Sequence, residues 1–250
     1  MNQEYPDFFA RFYDLIYHQL RNGIDNNFFL NEVKNNKGKT LEIGVGTGRF
    51  FIDALKYDAD VYGIDISNSM IEVLKNKLNN DQYLRVSNQS IIDFSFDFKF
   101  DLIIAPFRVI MHIIKKEDQL AALNNVCKHL NPGGRFIFDA FIPDLNQLIH
   151  GIDNKVDFEG EYDKGTKVRR IVSTNPDLIN QLINVTFRLE WNEGDKLKSE
   201  AWDMALRFFF RFELEHLVER SDFSSYKILG DYSGNELNAS SKEFIVVCQK

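Results

Sequence analysis

Cysteine is scarce in this chain: two of 250 residues, Cys127 and Cys248. They form no CxxC pair and no metal-ligand spacing, so no metal site is expected. Both fall in apolar patterns and are expected as buried, reduced core residues. Proline and glycine are few, at 5 and 14. No apolar run approaches the ~18 residues of a membrane-spanning helix. The opening "MNQEYPDFFARF" lacks the basic stretch and apolar run of a secretory signal. The expectation is a cytoplasmic protein with no membrane partner. Positive charge is also short, with 30 Lys and Arg against 37 Asp and Glu, a net charge of −7 and a pI near 5.3. A nucleic-acid partner leaves a basic footprint. The only dense basic group, Lys164 to Arg170, reads as a solvated strand face.

What is present is the composition of a soluble globular protein, 44% hydrophobic and 27% charged. The length allows one large domain, or a domain with a sizeable insertion. Phenylalanine is abundant, at 23, so the core is expected to be rich in aromatics.

Apolar residues at helical spacing predict a helix over 7–21, "DFFARFYDLIYHQLR", and a second near 24–34. From residue 40 strands and helices alternate. "KTLEIG", "DVYGID", "YLRVSN", "FDLIIAP" and "RFIFDAF" are strands; 48–57, 68–79 and 117–130 are helices, the last ended by "NPGG". That alternation predicts a parallel sheet with helices on both faces. Residues 166–175, 181–191 and 198–210 then read as three long strands joined by turns, an antiparallel insertion. A helix in "FELEHLVERSDF" and strands "SYKILGDY" and "KEFIVVCQK" resume the α/β pattern.

"TLEIGVGTGRF" follows the first strand into a helix, the place where such sheets bind ligands. Gly44, Gly46 and Gly48 let the backbone turn sharply and approach a ligand, with helix N–H groups aimed at it. A dinucleotide turn of the form G-x-G-x-x-G needs glycine at 49, and the chain has Arg49. Glu42, two residues before the first glycine, would repel a pyrophosphate and suit a cationic amino-acid end. Asp65 ends the second strand, where a carboxylate accepts hydrogen bonds from ribose hydroxyls. Together these favour an adenosine ligand without phosphates.

"LEIGVGTGRF" with "VYGIDISNSMIEVLK" resembles the class I S-adenosylmethionine (SAM) methyltransferases, and the resemblance covers most of the chain. It implies a Rossmann-like seven-stranded α/β sheet with its last strand antiparallel. It also implies SAM as cofactor, with S-adenosylhomocysteine as product. In that family the glycine loop wraps the methionine end and the acidic residue holds the ribose. Ile66 would pack on adenine with Met70 near. Where the family carries an aspartate for the adenine amino group this chain has Ser90, in "NQSIIDF", and Ile91 would meet the ring through its backbone. Ala105, Pro106 and Phe107 would lie beside the sulfonium. "FYDLIYHQL" and "FRFELEHLVERSDFSSYKILGDYSG" resemble the subgroup of glycine and sugar-amine N-methyltransferases. That subgroup covers the site with an N-terminal helix and an antiparallel insertion.

Other residues carry two readings each. Tyr13 and Tyr17, at i and i+4, share a helix face and would either close over SAM and the substrate or simply pack. Arg108 and His112, in "PFRVIMHII", would bind an acidic substrate and act as general base, or pair with a core carboxylate and pack. Asp139 is either a substrate contact or a carboxylate serving nearby backbone N–H groups. Arg49 reads as a solvated residue, and the aromatics of the insertion as core.

The expected organisation is a helical cap over 1–36, a SAM-binding core over 37–143 and 211–250, and an antiparallel insertion over 144–210. The expected activity is methyl transfer to the nitrogen or oxygen of a small molecule by in-line displacement. A SAM-binding protein without turnover, a nicotinamide oxidoreductase and a nucleic-acid methyltransferase are the alternatives. The last is opposed by "APFR" in place of an Asn/Asp-Pro-Pro-aromatic motif. A homodimer through the aromatics of the insertion stays open.

Overall fold

A computed structural model describes residues 4–20 and 23–250. Two helices open it, α1 (Asp7–Leu20) and α2 (Ile24–Asn35). The alternating region follows as β1 (Thr40–Ile43), α3 (Phe51–Leu55), β2 (Val61–Asp65), α4 (Asn68–Lys75), α5 (Asn80–Tyr83), β3 (Val86–Asn88) and β4 (Phe100–Ala105). A 3-10 helix over Val109–His112 precedes α6 (Lys116–His129) and β5 (Leu130–Phe141). Next come α7 (Leu145–His150) and four long strands, β6 (Ile152–Asp163), β7 (Thr166–Asp177), β8 (Leu182–Glu193) and β9 (Lys196–Arg207). The chain closes with α8 (Arg211–Glu219), β10 (Ser225–Leu229) and β11 (Glu243–Gln249).

Seven strands form one sheet in the order β10-β11-β5-β4-β1-β2-β3. All neighbours pair in parallel except β11, which is antiparallel to both β5 and β10. This is the mixed sheet expected from the resemblance. β1 and β4 are buried at nearly every position because helices cover both faces, which is why they read as continuous apolar runs. Two apolar clusters occupy the two faces of the sheet. Eleven of the 23 phenylalanines are less than 2% exposed, as an aromatic-rich core requires, and both cysteines are buried and unpaired.

A second sheet, β6-β7-β8-β9, is an antiparallel meander. It has four strands rather than the three expected. β6 escaped notice because "DNKVDFEGEYD" is charged and mostly exposed, with little alternation. α7 was missed because it is only one to two turns long. "NPGG" ends no helix by a turn; it continues as the start of β5, with Gly133 at φ 77°. α3 and α4 are shorter than expected, and the first helix stops at Leu20, Arg21 lying outside the described residues. The basic segment is only partly solvated: Arg170 is 3% exposed and bonds Asp157 through two nitrogens at 2.7 and 3.0 Å.

The apolar face of α1 packs Phe9, Phe12 and Ile16 against Trp191, Trp202 and neighbouring residues of the four-stranded sheet. Polar groups of the α1 segment hold it to the seven-stranded sheet's ligand end. Thr47 donates to Asp14 at 2.6 Å, Lys77 also reaches Asp14, and Ser67 donates to the Tyr5 carbonyl at 3.2 Å. Thus α1 bridges the two sheets. No described helix is long and apolar enough to cross a membrane.

Lys250 closes a helix end. Its Nζ lies 2.7 Å from the Cys127 carbonyl, 3.4 Å from Lys128 and 2.9 Å from Leu130, at the electronegative end of α6. An ammonium there satisfies terminal carbonyls and complements the helix dipole. Lys250→Ala is expected to cost ~1–2 kcal/mol, read as a lowered urea midpoint at unchanged slope; an unchanged midpoint would show that water replaces the ammonium without loss.

Candidate active site

Strand order reverses between β4 and β1, and ligands of such sheets bind beyond the carboxyl ends at that point. A cavity of about 530 Å³ opens there, within the range of small-molecule sites. Ile43 and Gly44 follow from β1, Ile64 and Asp65 from β2, and Phe107 and Val109 from β4. Gln89 to Ile92, after β3, form one side; Tyr5 and Tyr13 of the N-terminal segment, with Leu182, Asn184 and Ala205 of the four-stranded sheet, form the roof.

The glycine loop is left-handed at each glycine: φ 75° at Gly44, 54° at Gly46 and 87° at Gly48. A Cβ on Gly44 would lie 2.4 Å from Val109 Cγ2, and one on Gly48 would lie 2.3 Å from Leu74 Cδ1. A Cβ on Gly46 would meet nothing nearer than the Gly44 carbonyl, at 3.9 Å. Two glycines therefore serve close packing, and the third leaves open space in the cavity wall. Asp65 organises this loop, accepting the Gly46 N–H at 2.8 Å and the Ser67 N–H at 2.8 Å. Removal from water raises its pKa, and those backbone donors partly offset the rise.

Glu42 is 1% exposed, and its Oε2 has no hydrogen-bond partner among the described residues. Burial pushes its pKa well up, the Asp65 carboxylate adds to this, and Arg49 opposes it. A buried, unpartnered carboxylate oxygen is costly unless a donor arrives.

The expected site residues divide into two groups. Tyr13, Gly44, Gly46, Asp65, Ile66, Met70, Ser90, Ile91, Phe107 and His112 line the cavity. Glu42, Gly48, Ala105 and Pro106 are not among the lining residues, and Tyr17 packs on Tyr13 at 4.4 Å between ring centres with the Arg170 guanidinium over its face. Arg108 is turned away: its guanidinium pairs with Glu243 at 2.6 Å, the core-carboxylate alternative of the sequence reading. Asp139 likewise serves the backbone, accepting the Arg108 N–H at 2.7 Å. Arg49, far from being solvated, stacks on Phe107 with its Cζ 3.4 Å from the ring centre and pairs with buried Asp25 at 3.1 Å. Tyr5, Lys115, Asp118, Leu182, Asn184 and Ala205 were not foreseen. Their segments carry no local motif and meet only through the fold.

Burial lowers the His112 pKa to about 4, so its imidazole is neutral at pH 7. The folded-state value lies below the unfolded ~6.5. The unfolded chain therefore binds this proton first as pH falls. The contribution of neutral His112 to stability is present above pH 6.5 and is lost between about 6.5 and 4. Denaturant melts across that window should show His112→Gln losing less stability than the natural chain, by up to ~3 kcal/mol at the acid end. Parallel curves for the two would place His112 in water.

Residues 41–136 match the family described as a methyltransferase domain. The chain is 23% identical over 239 residues to the cypemycin N-terminal methyltransferase of Streptomyces, spanning 95% of this chain and 94% of that one. Its fold matches an S-adenosylmethionine-dependent methyltransferase from Clostridium acetobutylicum with a TM-score of 0.74 at 20% identity, covering 97% and 98% of the two chains. It also matches a sugar N-methyltransferase from Streptoalloteichus with a TM-score of 0.75 at 15% identity, covering 95% and 92%. Sheet order, glycine loop and acidic strand end are those of the Rossmann-like methyltransferase fold. The methyltransferase-domain match spans residues 41–136, and over nearly its whole length the chain has the fold of S-adenosylmethionine-dependent methyltransferases.

The residues present fit that cofactor. Unpartnered Glu42 Oε2 wants a donor, which an amino-acid ammonium supplies; the open space at Gly46 admits a ligand against the backbone. Ile66, Met70, Ile91 and Ile92 offer an apolar wall for a purine.

Proposed function

We propose that the cavity holds SAM and a small-molecule acceptor together, and that the acceptor's nucleophile is an amine nitrogen. When bound, SAM supplies a methyl group already activated by its sulfonium. Glu42 would draw the ammonium, the Gly44–Gly48 loop would admit the methionine end, and Asp65 would hold the ribose hydroxyls. Ile66, Met70, Ile91 and the Ser90 segment would sandwich the adenine. Tyr5 and Tyr13 would close the roof and exclude water.

The observation that carries the choice of nitrogen is His112. An imidazole with a pKa near 4 takes protons too weakly to activate an alcohol at neutral pH. It can still accept a hydrogen bond from a neutral amine and so orient the nitrogen lone pair, and such positioning accounts for much of catalysis in displacement reactions. The cavity, with Leu182, Asn184 and Ala205 in its lining, suits a compact acceptor. The matched sugar N-methyltransferase fold supports the same acceptor class. We also read residues 1–36 as cap, 37–143 with 211–250 as cofactor core, 144–210 as substrate cover, and the cytoplasm as the place of work.

Calorimetric titration with SAM, S-adenosylhomocysteine and NAD tests the cofactor. Micromolar binding of the first two and none of NAD is expected; binding of NAD alone overturns the assignment. Paired amine and alcohol acceptors, with product read by mass spectrometry, test the nucleophile. Methylation confined to alcohols would end the amine reading.

A further inference from the structure

Phe107 and Arg108 are consecutive non-glycine residues in the left-handed region, at φ 61° and 67°. Side chains disfavour that backbone, and such pairs persist only where the surroundings enforce them. The enforcing group lies in the next strand. Asp139, near the carboxyl end of β5 and wholly buried, accepts the Arg108 N–H at 2.7 Å, while its second oxygen accepts the Tyr232 hydroxyl. Beyond the kink runs the 3-10 helix that carries His112, followed by Ile113 and Ile114, all three in the cavity wall with Phe107. Asp139 itself is not in that wall.

We propose that Asp139 is a positioning residue: its grip on the Arg108 amide locks the kink and thereby fixes how His112 and Ile113 face the cavity. The ion pair of the Arg108 side chain with Glu243 sets no backbone dihedral, so the amide bond is the one that matters. Tyr232 orients the carboxylate from behind. The kink would otherwise relax to the right-handed region and rotate the 3-10 helix away from the pocket.

Three measurements test this without any ligand, so failure here and failure of the cofactor assignment are told apart. In the natural chain the Arg108 amide should exchange with deuterium ~100-fold or more slowly than an open-loop amide; unprotected exchange overturns the proposal. By NMR, His112 in Asp139→Ala should titrate nearer the ordinary ~6.5 than in the natural chain, whereas Asp139→Asn, which keeps an acceptor oxygen, should leave it in place. An unchanged His112 in Asp139→Ala also overturns the proposal. Arg108→Gly should leave His112 unmoved, since glycine adopts the left-handed backbone freely, and added to Asp139→Ala it should restore the titration. A shift in Arg108→Gly alone would assign the role to the side chain instead. If Asp139→Ala does not fold, the exchange rate and Arg108→Gly decide by themselves.

Discussion

Asp65→Ala is expected to weaken S-adenosylhomocysteine binding by ~10²–10⁴-fold. Asp65 accepts the Gly46 and Ser67 amides at 2.8 Å each, so the carboxylate shapes the loop as well as facing the cavity. Two ribose hydroxyls donating to it would contribute ~1.5–3 kcal/mol apiece; losing both gives the stated range. Asp65→Asn keeps one acceptor oxygen and should fall between. Stability should change much less than affinity. Removal from water already disfavours the charged carboxylate in the folded state, so deleting it relieves one cost while losing two bonds. Calorimetry beside thermal melts separates the two effects. An affinity within threefold of the natural chain would sink the ribose assignment.

The glycines should split in a second experiment. Gly44→Ala and Gly48→Ala should lose stability, and Gly46→Ala should lose ligand. At Gly44 and Gly48 a methyl group meets Val109 and Leu74 at 2.4 and 2.3 Å, on a backbone already at positive φ. The left-handed conformation costs ~1–2 kcal/mol for an L residue, and overpacking adds ~1–3. Each kcal/mol corresponds to ~2–4 °C of melting temperature at this size. At Gly46 only the backbone cost applies, because the methyl group enters open space. That space is the ligand's, so affinity should drop ~10-fold or more, the effect of at least ~1.4 kcal/mol. Equal melting temperatures for Gly46→Ala and Gly48→Ala would contradict the packing at Leu74.

These residues were legible from the sequence because their roles are local. A glycine loop and an aspartate at a strand end are placed by chain continuity alone, once the strands are known to be parallel neighbours. The roof was not legible. Leu182, Asn184 and Ala205 reach the cavity only through the four-stranded sheet, and Tyr5 only because α1 bridges the two sheets. Arg108 and Arg49 show the same limit from the other side. Nothing near them in sequence indicates that Glu243 takes the first, or that Asp25 and Phe107 take the second. Long-range ion pairs are decided by packing, and one-dimensional spacing does not encode it.

The order of the strands also bears on how the chain comes to be folded. β6 to β9 pair strictly with their sequence neighbours, so each hairpin closes a short loop and can form within microseconds. β11 pairs with β5 across more than a hundred intervening residues, Glu243 opposite Phe141, and cannot dock until residues 243–249 have been synthesised. On the ribosome the meander is therefore expected to be built while the larger sheet still lacks its antiparallel member and exposes the flank of β5. Pulse-labelled amides of β7 and β8 should gain protection before those of β11. The four-stranded sheet would then exist before the seven-stranded sheet is complete, and a nascent chain stalled short of Glu243 would carry an open strand edge available to chaperones or to aggregation.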